Sequence, residues 1–156
     1  SIPNALIGVY GKHLCTPLAQ VMQNLNAKHV ALVHSQDGLD EISLAAPTFV
    51  SELKNGQIYT YTLTPEELGV HSQSLDGLTV KTSEDSARLV KQALSGASDD
   101  PIIQKAQAII ALNAGMGLYV ADVCASPKLG VQKAQAVLAQ GQALATLQNY
   151  AVFSCS

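Results

Sequence analysis

Short apolar runs and amphipathic stretches alternate along the first part of the chain. The apolar runs at 6–10 and 30–34 predict two buried strands. Between them, Thr16-Pro17 is typical of a helix cap followed by a first-turn proline, and apolar residues at 18, 21, 22 and 25 predict a helix ending near Asn26. A strand, a helix and a strand in this order predict a βαβ unit with parallel strands and a right-handed crossover.

A hairpin and then a series of helices are predicted after this unit. Alternating residues at 48–53 and 57–63 flank Lys54-Asn55-Gly56, which indicates an antiparallel hairpin that we place at one edge of the sheet. Thr64-Pro65 predicts a short helical turn, and a loop should follow to about 81. Ser83, Asp100 and Ser126 are placed to cap helices reaching about 94, 123 and 148. We therefore predict an α/β fold over 1–156, with a mainly parallel sheet, an antiparallel edge hairpin and C-terminal helices.

Composition narrows the class of protein. Of the 156 residues, 47% are apolar and only 13% charged, which favours a well-packed core over a disordered chain. The net charge of -3 and the scattered Lys and Arg argue against a nucleic-acid partner. Cys15, Cys124 and Cys155 form no CxxC pair, which favours a reducing cytoplasm over a disulfide framework or a zinc site. The apolar stretch 106–125 approaches a membrane span in length, but polar residues interrupt it, so we expect a buried helix and no membrane partner.

An acidic loop directly follows the second predicted strand. It carries Asp37, Asp40 and Glu41 around Gly38. In open α/β sheets, ligands bind at the carboxyl ends of the strands, and closely spaced carboxylates suit Mg²⁺, which takes its remaining ligands from water and phosphate. The alternative is a solvated turn, because Asp and Gly are common turn residues.

The remaining polar and glycine positions favour structural roles. His13, His29, His34 and His71 are dispersed without metal-ligand spacing, so we expect structural or surface histidines. Gly115-Met116-Gly117 lies within a predicted helix and indicates close helix packing, since a phosphate loop belongs between a strand and a helix. We expect Asn113, in the same helix, to bond a buried backbone group.

The acidic loop also carries a family resemblance. The string HSQDGLDE at 34–41 resembles the signature loop of anthranilate phosphoribosyltransferases. Flanking segments are similar in order and spacing, at 5–10, 17–21, 42–48, 50–56, 63–69, 111–115 and 141–143, the last followed by Leu147. The resemblance implies the large α/β domain of the nucleoside phosphorylase and phosphoribosyltransferase fold. It also implies the transfer of phosphoribosyl from phosphoribosyl pyrophosphate to the amine of anthranilate, with release of pyrophosphate, in tryptophan biosynthesis.

Site roles follow from the resemblance residue by residue. Asp40 and Glu41 match the family's acidic pair, which implies that they bind Mg²⁺. Asp37 and His34 receive no metal contact, and we expect His34 to orient the loop through hydrogen bonds. No catalytic residue is assigned within this chain.

Several family features do not occur in this sequence. It contains no GTGGD-like glycine-rich loop and no KHGN-like string. The family's anthranilate-binding arginine and N-terminal helical domain, which forms a dimer interface, are also unmatched. We therefore expect a partial domain whose substrate contacts lie upstream of Ser1, a homodimeric parent enzyme, and an inactive isolated chain.

Three alternatives remain open at this point. One is a pyrimidine nucleoside phosphorylase of the same fold, and another is a non-catalytic, nucleic-acid-binding relative. The third is a proteolytic remnant with no function of its own. The acidic balance and the DGLDE string favour the phosphoribosyltransferase.

Overall fold

A computed structural model describes residues 2–79, 82–141 and 143. Its strands are β1 (Ala5–Gly8), β2 (His29–Ser35), β3 (Thr48–Lys54) and β4 (Gln57–Leu63). Its α-helices are α1 (Lys12–Asn24), α2 (Ser83–Ala93), α3 (Pro101–Val120) and α4 (Pro127–Ala139), and Glu66–Leu68 forms a 3₁₀ turn.

The four strands form one mixed sheet in the order β1-β2-β3-β4. The α/β class, the parallel β1–β2 pair and the hairpin at the edge of the sheet are confirmed. The expectation of a mainly parallel sheet holds for that one pair only, because β3 runs antiparallel to β2. The physical reason lies in the connection, since a parallel return needs a crossover, usually a helix, and 36–47 contain none.

Strand β1 lies at the opposite edge from the hairpin. Within the described ranges it pairs with β2 alone, from Ala5 opposite Val30 to Gly8 opposite Val33. The βαβ unit therefore places the carboxyl ends of β1 and β2 side by side.

The predicted helix boundaries were right at two caps and, within one residue, at the end of α2, but α3 and α4 end earlier than predicted. Asp100 and Ser126 cap α3 and α4 as predicted, accepting hydrogen bonds from the backbone N–H groups of Ile102 and Leu129. Thr82, rather than Ser83, caps α2. Helices α2 and α3 end at Ala93 and Val120, and α4 ends at Ala139, short of the predicted 148, which lies outside the described residues.

Helix α1 begins earlier than the Thr16-Pro17 pair predicted. It starts at Lys12 and contains Pro17 in its interior. The Thr16 hydroxyl lies 2.8 Å from the Ser51 hydroxyl, so it joins the helix to β3 instead of capping a helix. Proline is tolerated there at the cost of one helical hydrogen bond.

The sheet has an apolar layer on each face. On one face, α1 packs through Cys15 and Ala19 against Leu32 and other strand residues. On the other face, Leu112 and Met116 of α3 belong to a core that also includes residues of β2, β3 and α4. No helix within the described ranges is long and apolar enough to cross a membrane.

Helices α3 and α4 approach each other closely at two glycines. A Cβ added to Gly115 would lie 2.4 Å from the Val131 backbone, and one added to Gly130 would meet the Gly115 carbonyl. The predicted packing role is confirmed for Gly115. Gly117 has open space around it and makes no such approach.

Candidate metal centre

The acidic loop leaves the carboxyl end of β2 as a compact turn. The Ser35 N–H donates to the Leu39 carbonyl at 2.9 Å, and the Gly38 N–H donates to the Ser35 carbonyl at 3.0 Å. Gly38 adopts φ 93°, a left-handed conformation that glycine enters without a Cβ penalty. The loop therefore has a defined backbone course at the carboxyl end of β2.

Asp37 is used within the loop itself. Its carboxylate accepts hydrogen bonds from the Ser35 hydroxyl and, at 2.6 Å, from the Ser43 hydroxyl. Burial raises the pKa of Asp37, but these hydrogen bonds outweigh burial and hold the pKa below its ordinary value. An ionised Asp37 thus joins the last residue of β2, Ser35, to Ser43.

Asp40 is placed by the end of β1. It is exposed, and its backbone carbonyl rests against Gly8. A Cβ on Gly8 would lie 1.7 Å from that carbonyl oxygen. Only a glycine at the end of β1 allows the loop to lie this close to the sheet.

Glu41 faces a largely apolar environment. It is half-buried and lines an otherwise largely apolar cavity of about 290 Å³, beside Leu39, Leu44 and Ile109. Burial raises the pKa of Glu41, and the negative charges of Asp40 and Asp37 raise it further. The site therefore holds uncompensated negative charge that a bound cation would relieve.

This donor set fits a hard divalent cation only in part. Asp40 and Glu41 are adjacent carboxylates, but the described residues contain no group of three or more His, Cys, Asp or Glu side chains that could hold a metal ion. Mg²⁺ is commonly held by one or two carboxylates, with water and phosphate oxygens completing its octahedron. The pair could therefore hold Mg²⁺ that is shared with a phosphorylated ligand.

Asn113 of α3 fixes the far side of the loop. Its Oδ1 accepts from the Ile42 N–H at 2.8 Å, and its Nδ2 donates to the Ile42 carbonyl at 3.0 Å. Ile42 follows Glu41 directly. The expected bond from Asn113 to a buried backbone group is confirmed.

The hydrogen bond of His34 differs from the expected one, which was to orient the acidic loop. Its Nδ1 lies 2.8 Å from the carbonyl oxygen of Val9, which follows β1. The hydrogen bond therefore joins the ends of β1 and β2 and does not reach the acidic residues of the loop.

Sequence reasoning missed a buried polar network at the opposite end of β2. His29 is 2% exposed, and its two ring nitrogens lie 2.6 Å from Glu52 and 2.8 Å from Asp122. The hydroxyls of Tyr61 and Tyr119 also donate to Glu52. Burial raises the pKa of both tyrosines, and these hydrogen bonds raise it further. His29 is thus structural, as the dispersed histidine pattern predicted, and no sequence spacing signals its partners.

A comparison with protein-family models shows the enzyme family to which the chain belongs. The chain belongs to the glycosyl transferase family, because residues 1–144 match the model of that family's a/b domain.

More particular similarities concern one enzyme of that family. The chain is 48% identical to an anthranilate phosphoribosyltransferase of Saccharophagus degradans, covering 98% of this chain and 45% of the relative. It is 50% identical to the enzyme of the same name from Pseudomonas putida, covering 98% and 44%. The chain thus spans somewhat less than half the length of the curated relatives it matches.

Solved structures show the same fold. The anthranilate phosphoribosyltransferase of Thermus thermophilus superposes with a TM-score of 0.81 at 34% identity, covering 96% of this chain and 42% of that one. The Saccharomyces cerevisiae enzyme in complex with PRPP and Mg gives a TM-score of 0.79 at 24% identity, covering 93% and 41%.

Proposed function

We propose that this chain is the C-terminal portion of the α/β domain of an anthranilate phosphoribosyltransferase. The reaction joins the amine of anthranilate to C1 of phosphoribosyl pyrophosphate and releases pyrophosphate. The observation that carries the proposal is the acidic loop at the carboxyl end of β2, in a chain similar along almost its whole length to enzymes of that name.

Asp40 and Glu41 are the residues we assign to Mg²⁺ within this function. Both lie where a phosphorylated ligand would meet the sheet, and Glu41 has a raised pKa that a cation would lower. A bound Mg²⁺ would neutralise and orient the pyrophosphate leaving group. The carboxylates of Asp40 and Glu41 would hold the ion from the protein side, while Asp37 accepts the hydrogen bond of the Ser43 hydroxyl within the loop.

The remaining functional groups are assigned to the rest of the enzyme. We place the main contacts to phosphoribosyl pyrophosphate and anthranilate, and a homodimer interface, outside this partial domain. A cytoplasmic location agrees with the free thiols of Cys15 and Cys124. We expect the isolated chain to show no turnover.

The test is a Mg²⁺ titration of turnover in the longer enzyme that carries this domain. Asp40→Ala and Glu41→Ala should each raise the Mg²⁺ concentration needed for half-maximal activity, by about tenfold or more. Asp99→Ala is the matched control, because it removes a carboxylate from the connection between α2 and α3 and not from the acidic loop. If both loop variants keep full activity at limiting Mg²⁺, the metal assignment is wrong.

A further inference from the structure

One polar side chain interrupts the apolar surface that α3 presents to the acidic loop. Asn113 makes three hydrogen bonds there, one from the Ile42 N–H, one to the Ile42 carbonyl and one to the Ile109 carbonyl of its own helix. Ile42 is 1% exposed, so water does not satisfy its backbone groups. The amide of Asn113 therefore does what water or a strand partner would otherwise do.

The chemistry of the amide explains why this residue type is needed. A carboxamide accepts through its oxygen and donates through its nitrogen. An ionised carboxylate can only accept, and a hydroxyl has a single oxygen for both functions. Both peptide groups flanking the Ile42 Cα are thereby bound to a rigid helix. The peptide group that carries the Ile42 N–H is also the one that carries the carbonyl of Glu41.

Other contacts hold the loop at different points. The Asp40 carbonyl packs against Gly8 of β1, and Asp37 is held by Ser35 and Ser43. Neither of these contacts involves the backbone of Ile42, and the next N–H group, that of Ser43, donates to the Thr48 hydroxyl of β3. Asn113 alone among these contacts joins that backbone to the helical layer.

We propose that Asn113 is a positioning residue, which sets the affinity of the Asp40-Glu41 pair for a divalent cation by holding the backbone at Ile42. This inference rests on the metal role assigned above. Asn113 touches neither the cation nor the substrate, and it acts through the peptide group that carries the Glu41 carbonyl. Replacing a residue that orients a metal ligand without touching the metal typically changes the affinity for the metal by about 10- to 100-fold.

The variants are Asn113→Ala and Asn113→Ser. Alanine removes all three hydrogen bonds. Serine can still bond the Ile109 carbonyl within the helix but is too short to reach Ile42. The matched control is Gln107→Ala in the same helix, since the Gln107 amide likewise donates two hydrogen bonds to backbone carbonyls, those of Ala93 and Gly96, without contacting the acidic loop.

Two measurements in the longer enzyme separate positioning from general stability. The first is direct Mn²⁺ binding, followed by the electron paramagnetic resonance of the free ion. The second is hydrogen exchange at the Ile42 amide, which does not depend on a metal. We expect both Asn113 variants to weaken Mn²⁺ binding at least about tenfold and to speed exchange at Ile42, while Gln107→Ala changes either by less than about twofold.

Each other outcome points to a different error. If the Asn113 variants exchange faster at Ile42 but bind Mn²⁺ normally, and Asp40→Ala does not bind it, the positioning inference fails and the metal role stands. If Asp40→Ala also binds Mn²⁺ normally, the metal role itself fails. If the Asn113 variants do not fold while Gln107→Ala does, Asn113 serves folding and the inference is rejected.

Discussion

Replacing Gly8 by alanine tests how closely the acidic loop depends on the end of β1. The added Cβ would lie 1.7 Å from the Asp40 carbonyl oxygen, and ordinary contact begins at about 3.4 Å. The two atoms must therefore separate by about 1.7 Å, and the obstacle is backbone, which cannot rotate away as a flexible side chain can. Mg²⁺ requires near-ideal octahedral geometry at about 2.0–2.1 Å, and functional sites tolerate displacements of about 0.5 Å.

We accordingly expect Gly8→Ala to weaken Mn²⁺ binding and to raise the Mg²⁺ requirement for turnover by about 10- to 100-fold. The assay is a Mn²⁺ titration followed by electron paramagnetic resonance, with Mg²⁺-dependent turnover beside it. Gly117→Ala is the control, because its Cβ meets nothing within 4 Å and lies in the interior of α3. Wild-type Mn²⁺ affinity in a folded Gly8→Ala protein would refute the idea that the end of β1 places Asp40.

Two further predictions concern helix packing and pH. Gly115→Ala should lower the free energy of unfolding by about 1–3 kcal/mol, since its Cβ meets the Val131 backbone, and equal or greater stability in denaturant titrations would contradict the close approach. Glu41 has a raised pKa, and in its proposed metal role it would bind a cation as the carboxylate, so Mn²⁺ affinity should fall as the pH drops through that raised pKa. In the absence of a cation, folding stability depends on pH in the opposite direction. The stability that Glu41 contributes is present below its unfolded pKa and is lost as the pH rises through its folded pKa. Glu41→Gln should remove the pH dependence of Mn²⁺ affinity and that of stability. If either persists in this variant, another group causes it.

The sequence predicted those parts of the fold that depend on local chemistry. Asp100 and Ser126 cap their helices because a side-chain acceptor, followed by proline, favours a helix start whatever surrounds it. The Asn55-Gly56 turn likewise fixed the hairpin, with positive φ at both residues. Thr16-Pro17 misled for the opposite reason, because the tertiary contact of Thr16 with Ser51 decides the role of that pair.

The candidate site shows the same division. The order of Asp37, Asp40 and Glu41 after a buried strand was enough to indicate a loop at the ligand edge. The sequence did not predict that Asp37 is the carboxylate hydrogen-bonded within the loop, because that role depends on the contact between Ser43 and Asp37. The network around Glu52 is even harder to predict from sequence, since its contacts with His29 and Tyr119 span 23 and 67 residues along the chain. Such contacts follow from packing and leave no local pattern.

The outer edge of β1 has a practical consequence for anyone who handles this chain. Within the described ranges no strand pairs with that edge, and an unpaired strand edge presents backbone N–H and C=O groups on which another strand can form. Parallel strands in α/β proteins are normally covered on their faces and paired along their sheet. Concentration-dependent self-association of the isolated chain, starting at residues 5–8, is therefore the behaviour to watch for during purification. A peptide or domain that supplies a neighbouring strand should suppress it.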